Sequence, residues 1–111
     1  MLRTIQYSFP SKADGLEISC LAVVPELERN EKYRGIIQIV HGMSEYKERY
    51  IPFMEYMAER KYISVIHDHR GHGKSVRSKE DLGYMYGGGA DAMLQDIHTV
   101  CLLYTSDAAD E

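Results

Sequence analysis

Two short segments hold residues that could act on a ligand or a substrate. The first is His41-Gly42-Met43-Ser44-Glu45, which follows the apolar run 35–40. The second covers residues 68–75 and follows the apolar run 62–67. A polar loop after a buried strand lies at the carboxyl end of an α/β sheet, where ligands bind. We therefore expect both loops to meet at one edge of a sheet and to form part of a site.

The first loop could supply a main-chain donor to a reacting group. A backbone N–H fixed at such a turn stabilises the oxyanion of acyl transfer, and losing one donor costs about 3–4 kcal/mol. Gly42 would allow a backbone geometry that residues with a Cβ avoid. A tight turn that binds nothing explains the same residues, and the five residues alone favour that simpler interpretation.

The second loop reads as a structural brace. Asp68 can accept hydrogen bonds from backbone N–H groups, and Arg70 can offer five donors to carbonyls or carboxylates. A loop that leaves a buried strand must also satisfy its own backbone groups. We predict that it braces the turn at His41 through the residues Asp68, Arg70, Gly71, Gly73 and Ser75.

Metal and nucleotide sites are the main alternatives for this second loop. His67, Asp68, His69 and His72 are types that bind zinc, but alternate strand residues point to opposite faces and their order matches no zinc hydrolase motif closely. Asp68 occupies the first glycine position of a phosphate-binding loop, and Val76 occupies the third glycine position of a dinucleotide motif. We expect neither metal nor cofactor, and a metal-dependent hydrolase stays an alternative.

The surrounding sequence predicts an α/β fold. Residues 4–9 and 16–24 alternate in polarity around Asp14-Gly15, which predicts an antiparallel hairpin. Continuous apolar runs at 35–40 and 62–67 predict buried parallel strands. Between them, Pro52 predicts a helix from about Ile51 to Lys61. Its expected apolar face is Phe53, Met54, Met57 and Ala58, and that of a last helix over residues 90–100 is Met93, Leu94, Ile97 and Val100.

Composition limits the functional class. The 111 residues are 44% apolar and 27% charged, and their net charge of −4 without a basic stripe argues against nucleic acid as a partner. No run approaches the ~20 apolar residues of a membrane helix, and residues 1–7 lack the apolar core of a signal peptide. Two cysteines are too few for a disulfide framework, so we expect a cytoplasmic location.

We interpret the last eleven residues as having a different origin from the rest of the chain. Residues 101–111 resemble a translated sequencing-library adapter. We therefore expect residues 1–100 to be the native part of one domain and residues 101–111 to be a non-native tail. The alternative is a native but irregular helix end.

The two loops together resemble the α/β-hydrolase superfamily. Asp68-His69-Arg70-Gly71-His72-Gly73-Lys74-Ser75 is similar to its Asp-x-Arg-Gly-x-Gly-x-Ser loop. The spacing of His41-Gly42, Glu45 and Arg49-Tyr50 is similar to the monoacylglycerol lipase and lysophospholipase branch, also called serine aminopeptidase-like. The similarity covers about residues 4–100. Tyr46 departs from it, since many members of that branch carry histidine there.

The resemblance implies a serine hydrolase that cleaves carboxylic esters such as monoacylglycerols or lysophospholipids. It assigns the oxyanion donor to the backbone N–H of Met43, within the loop of His41 and Gly42. The catalytic serine, aspartate and histidine would follow the last helix, so this chain would be an incomplete, inactive N-terminal part of the sheet. Peripheral membrane contact would come from a lid that lies outside the chain.

Two further interpretations stay open. Peptidases of the proline-aminopeptidase type share these early motifs, and a small non-catalytic binding module ending at Glu111 would need no nucleophile. Neither Ser44 nor Ser75 lies in a Gly-x-Ser-x-Gly sequence, so neither is expected to be the nucleophile.

Overall fold

The computed structural model describes residues 2–42, 45–86 and 89–109, with side chains as far as residue 102. Within those residues the strands are β1 (Leu2–Pro10), β2 (Glu17–Pro25), β3 (Gly35–Ile39) and β4 (Tyr62–His67), and the α-helices are α1 (Ile51–Ala58) and α2 (Gly89–Ala109). Short 3₁₀ turns cover Lys47–Tyr50 and Lys79–Asp81. The strands form one sheet in the order β1-β2-β4-β3.

The N-terminal hairpin forms as predicted and is longer than predicted. Strands β1 and β2 pair antiparallel from Leu2 opposite Pro25 to Pro10 opposite Glu17. Gly15 has a φ of +77°, which a residue with a Cβ rarely adopts. The Asp14 carboxylate accepts the backbone N–H of Leu16 at 3.1 Å and so closes the turn.

The parallel part of the sheet places the two loops side by side. Strand β4 lies between β2, to which it is antiparallel, and β3, to which it is parallel. It is buried from Ile63 to His67 because strands flank it and helices cover both its faces. The polar loops after β3 and β4 consequently leave the sheet at the same edge, as the sequence predicted.

Each face of the sheet carries its own apolar core. On one face, α1 packs Met54 and Ala58 against Leu21, Val23 and Ile66. On the other face, Val100 of α2 joins a cluster of strand and turn residues comprising Phe9, Leu16, Ile18, Cys20, Ala22, Val24, Ile63 and Val65. The architecture is therefore a mixed sheet between two helices.

Helix α1 differs from its prediction in length and in orientation. It ends at Ala58 rather than near Lys61, because Lys61 adopts a φ of +70° that turns the chain into β4. The prediction of Phe53 in the buried face was wrong, since its side chain is 47% exposed. Met54 and Ala58 are fully buried instead, so the helix faces the sheet with the row that contains these two residues.

Helix α2 is longer than predicted and presents a different face to the sheet. Ala92, Asp96, Thr99 and Val100 are buried, whereas Leu94, predicted to be in the apolar face, is 59% exposed. The buried row follows helical spacing but includes polar side chains, which an apolar periodicity does not detect. The helix continues through residues 101–109, and the interpretation of 101–111 as a non-native tail stays a prediction. Among the described residues, no helix has the length and apolarity to cross a membrane.

His67 is an imidazole inside the core. It ends β4 opposite Cys20 on β2, and both side chains are fully buried. Burial, and after it the neighbouring rings of His69 and His41, lower the pKa of His67 to about 3. Burial also raises the pKa of the Cys20 thiol to about 12, so this cysteine is an inert core residue.

We expect Met54→Ala to lower the free energy of unfolding by about 2–5 kcal/mol, because it leaves a cavity between α1 and the sheet. The matched variant Phe53→Ala, one position away on the same helix, should cost less than about 1 kcal/mol because that side chain is half exposed. Urea denaturation of the 111-residue chain measures both values. Equal losses would contradict the observed orientation of α1.

We also expect the chain to lose stability as the pH falls below about 6.5. The folded state keeps His67 neutral down to about pH 3, whereas the unfolded state protonates it near pH 6.5. Between these values the unfolded chain binds more protons, so the free energy of unfolding decreases as the pH falls, by up to about 1.4 kcal/mol per pH unit for one histidine. Between about pH 6.5 and 5, the free energy of unfolding should fall less steeply with decreasing pH for His67→Met than for the unchanged chain, as urea denaturation at each pH measures. Identical slopes would show that His67 is not held neutral.

Candidate active site at the carboxyl ends of β3 and β4

The residues after β3 and β4 meet at one edge of the sheet. Ile39 pairs with Ile66 at the end of the parallel ladder, and His41 and Asp68 each follow two residues later. An open cleft of about 470 Å³ lies between the loops, with Glu45 and Tyr46 on one side and His72 and Gly73 on the other. The sequence-predicted loops are thus neighbours in space.

His41 and His69 hold each other through two hydrogen bonds. The backbone N–H of His69 donates to Nε2 of His41 at 3.0 Å, and Nε2 of His69 lies 2.9 Å from the backbone oxygen of His41. A backbone N–H can only donate, so Nε2 of His41 carries a lone pair and its proton lies on Nδ1. That Nδ1 then donates to the backbone oxygen of Gly42 at 2.7 Å. The His41 ring therefore accepts at Nε2 and donates at Nδ1 in this arrangement.

The surroundings of His69 favour its neutral form. The side chain is buried, and burial lowers its pKa, with the nearby His41 ring adding to the effect. The backbone oxygen of His41 opposes this trend by accepting from the ring. The net effect is a pKa of His69 below its ordinary value.

Glu45 closes the turn from its other side. One carboxylate oxygen, Oε1, accepts the backbone N–H of Gly42 at 2.6 Å and the hydroxyl of Tyr50 at 2.8 Å. These two donors, Tyr50 first, lower the pKa of Glu45 below its ordinary value. The contacts explain why the spacing of Gly42, Glu45 and Tyr50 matters, since the three meet at one oxygen atom.

The carboxylate of Asp68 is fully buried and accepts hydrogen bonds from two parts of the chain. Its Oδ1 accepts the backbone N–H of Lys47 at 2.8 Å, and its Oδ2 accepts the Lys47 ammonium at 2.7 Å. The backbone N–H of Lys74 donates to Oδ2 at 3.0 Å. Burial alone would lower the pKa of Lys47, but its bonds to Asp68 and Glu48 outweigh burial and raise that pKa.

Ser75 and the two glycines give this loop its path. The buried Ser75 hydroxyl donates to the backbone oxygen of Asp68 at 2.8 Å and accepts the N–H of Ser19 at 2.9 Å, so it connects the loop to β2. Gly71 and Gly73 have φ values of +77° and +50°. A Cβ on Gly71 would lie 2.2 Å from the oxygen of Tyr84, and one on Gly73 would lie 2.3 Å from the Asp68 carboxyl carbon. Only glycine fits at either position.

Arg70 points away from the turn at His41. Its guanidinium is fully buried, donates to the carboxylate of Asp14 in the hairpin turn and lies 3.7 Å from Asp96 on α2. The Ser11 hydroxyl donates to Asp96 at 2.6 Å. Burial raises the pKa of Asp96, and the Ser11 bond and Arg70 charge oppose that increase. Arg70 thereby fixes the loop to the hairpin and to α2.

The structure therefore brings together most of the residues that the sequence singled out. Met43 and Ser44 lie outside the described residues, so the assignment of the oxyanion donor stays a prediction. Sequence reasoning did not assign the contacts of Lys47 or of His69. The position of His69 between Asp68 and Arg70 was a signal for its role, whereas nothing in the polar run 45–49 signals that one lysine is buried.

Among the residues whose side chains are described, no group of three or more His, Cys, Asp or Glu side chains is arranged to hold a metal ion. The histidines instead pack ring against ring, with centroids 4.2 Å apart for His41 and His69 and 5.2 Å apart for His67 and His69. The hydrogen bonds of the His41 and His69 ring nitrogens go to backbone groups. The arrangement can hold a main-chain turn rigidly, which is the preparation that an oxyanion site requires.

Known structures share this architecture. A thermostable carboxyl esterase from Bacillus coagulans superimposes with a TM-score of 0.82 at 27% identity, over 96% of this chain and 33% of the esterase. A monoglyceride lipase from Saccharomyces cerevisiae gives a TM-score of 0.62 at 19% identity, over 90% of this chain and 30% of the lipase. The Pyrococcus horikoshii acylaminoacyl peptidase gives 0.63 at 22% identity, over 96% and 17%. This chain thus spans about a third of the esterase.

Curated protein sequences give no significant match to the chain. The family described as serine aminopeptidase, S33, matches residues 31–109, which include both loops, β3, β4 and the two helices. The sheet is the N-terminal part of an α/β-hydrolase fold, as the sequence predicted. The chain belongs to the serine aminopeptidase S33 family of α/β-hydrolases.

Proposed function

We propose that this chain is the N-terminal part of a serine hydrolase that cleaves carboxylic esters such as monoacylglycerols or lysophospholipids. His41 and Gly42 would form its oxyanion loop, and the backbone N–H of Met43 would stabilise the negative charge of the tetrahedral intermediate. Asp68 would brace that loop through Lys47, and Arg70, Gly71, Gly73 and Ser75 would hold the β4 loop from which Asp68 does so. Membrane contact would come from a lid contributed by the remainder of the protein.

The observation that carries this proposal is the paired hydrogen bonding of His41 and His69. Main-chain donors stabilise an oxyanion effectively when they are fixed before the reaction, because no reorganisation is then needed. His69 fixes both the ring and the backbone oxygen of His41 at the sheet edge. Glu45 fixes the N–H of Gly42 in the same turn. The turn is thus held on both sides of the position where the donor would lie.

The open side of the sheet supports a longer parent protein. Strand β3 is at the edge of the sheet, and Ile36 and Val40 are 37% and 49% exposed there. An exposed edge strand with apolar neighbours is a template for a further strand. The sequence contains no Gly-x-Ser-x-Gly, so the nucleophile would follow on that strand, and the 111 residues alone would be inactive.

The runner-up is a peptidase of the proline-aminopeptidase type. Its support is the family description itself, serine aminopeptidase, together with the fold shared with acylaminoacyl peptidases. Both activities use the same oxyanion loop, so the described residues do not separate them. Ester substrates are our choice because the esterase is the neighbour with both the higher identity and the higher TM-score of those compared.

We expect the uninterrupted reading frame to encode a Gly-x-Ser-x-Gly sequence beyond residue 100 and a protein that hydrolyses monoacylglycerols. A fluorophosphonate probe, which reacts with activated serines, should label that full-length protein and not the 111-residue chain. Release of glycerol or of fatty acid from monoacylglycerols, compared with release of proline from proline-terminated peptides, measures the substrate preference.

Replacing the elbow serine with alanine is the control, and it should abolish both labelling and hydrolysis. A full-length protein without the serine elbow would refute the catalytic proposal. Faster hydrolysis of the peptides than of the esters would favour the runner-up instead.

A further inference from the structure

Lys47 is a charged side chain buried beside the proposed oxyanion turn. Its side chain is 1% exposed, and its ammonium contacts the carboxylates of Asp68 and Glu48 at 2.7 and 2.8 Å. A buried ion pair is seldom more stabilising than apolar side chains of similar volume. Stability alone therefore does not account for a lysine at this position. The hydrogen bonds that Lys47 makes indicate its role.

Asp68 fixes the Lys47 end of a short turn. His69, the residue after Asp68, fixes the other end at His41. His69 holds His41, and Asp68, the preceding residue, holds Lys47. Only residues 42–46 lie between these two points, and Met43 is among them. Two consecutive residues of the β4 loop thus clamp both ends of the turn after β3.

The clamp at Lys47 restrains orientation as well as position. Its backbone N–H reaches Oδ1 of Asp68 while its ammonium reaches Oδ2 of the same carboxylate. Two bonds between one residue and two atoms of a planar group leave little freedom to rotate. The Asp68 carboxylate cannot move aside, because Gly73 lies against it and the N–H of Lys74 donates to it.

We propose that Lys47 is a positioning residue for the oxyanion turn. It acts through Asp68 to hold the carboxyl-terminal end of the turn, so that the donor assigned to Met43 keeps one place relative to the reacting carbonyl. This inference rests on the proposed function. It adds a residue outside the His-Gly and Asp-x-Arg-Gly-x-Gly-x-Ser motifs to the machinery of that site.

The test uses the full-length enzyme with the variants Lys47→Met, Lys47→Arg and Lys47→Met/Asp68→Asn. The exposed Lys32 supplies the matched control, Lys32→Met. Steady-state hydrolysis of a soluble ester, normalised to titrated active serines, gives kcat and KM. Inhibition by a trifluoromethyl ketone, which forms an oxyanion with the active serine, reports binding at the oxyanion site directly.

We expect Lys47→Met to lower kcat on the order of 10²-fold with little change in KM, since misplacing a donor by about 1 Å has an effect of that size. Affinity for the trifluoromethyl ketone should fall by a similar factor. Lys47→Arg should recover part of the loss because it keeps the charge, and Lys32→Met should match the unchanged enzyme. The double variant leaves no unpaired buried charge, so it reports the missing ammonium bond even where the single variant folds poorly.

Amide hydrogen exchange of the full-length enzyme gives an independent readout. Residues 42–46 should exchange faster in Lys47→Met, while β4 keeps its protection. Full activity and unchanged inhibition in a folded Lys47→Met or double variant would overturn the role of Lys47 and leave the proposed function standing. An unchanged enzyme that hydrolyses no ester and no peptide would overturn both.

Discussion

The buried carboxylate of Asp68 is the interaction on which the site depends. A carboxylate removed from water must be compensated by charge and by hydrogen bonds, or it destabilises the fold. Asp68 meets that demand with the ammonium and N–H of Lys47 and the N–H of Lys74. Its own backbone N–H donates to Ser19 on β2, and its backbone oxygen accepts from Ser75. Satisfying one residue thereby joins β2, the turn after β3 and the loop after β4.

Glycine makes this arrangement sterically possible. The N–H of Lys74 reaches Asp68 because Gly73 brings the backbone against the carboxylate, where a Cβ would overlap it. Gly71 similarly lies against the backbone of Tyr84, whose neighbour Gly83 donates its N–H to the Gly71 oxygen at 2.7 Å. The compact loop therefore follows from two close backbone approaches rather than from flexibility, since both glycines are needed where they stand.

The sequence predicted the elements of this fold better than it predicted their contacts. Alternation and apolar runs identified the hairpin and β4, because those signals depend only on neighbouring positions. The buried row of α2 was predicted less well, since Asp96 and Thr99 are polar. Asp96 is buried against Ser11, far away in the chain, and the Thr99 hydroxyl donates to the backbone oxygen of Gln95 within the helix. Lys47 escaped notice for the same reason. Its partner Asp68 is 21 residues away, so a charged run that reads as solvent-exposed contains a buried lysine.

The roles of Asp68, His69 and Arg70 separate once their partners are known. Asp68 is paired with Lys47, and Arg70 is paired in a different direction with Asp14 and Asp96. The flanking charges are thus paired with other groups, and burial lowers the pKa of the His69 ring between them. The ring that must keep a lone pair is that of His41, because its Nε2 accepts the backbone N–H of His69 and a proton there would break that bond. The two ion pairs therefore do more than fix the loop: with Asp68 and Arg70 each paired elsewhere, the His69 ring bonds the backbone oxygen of His41.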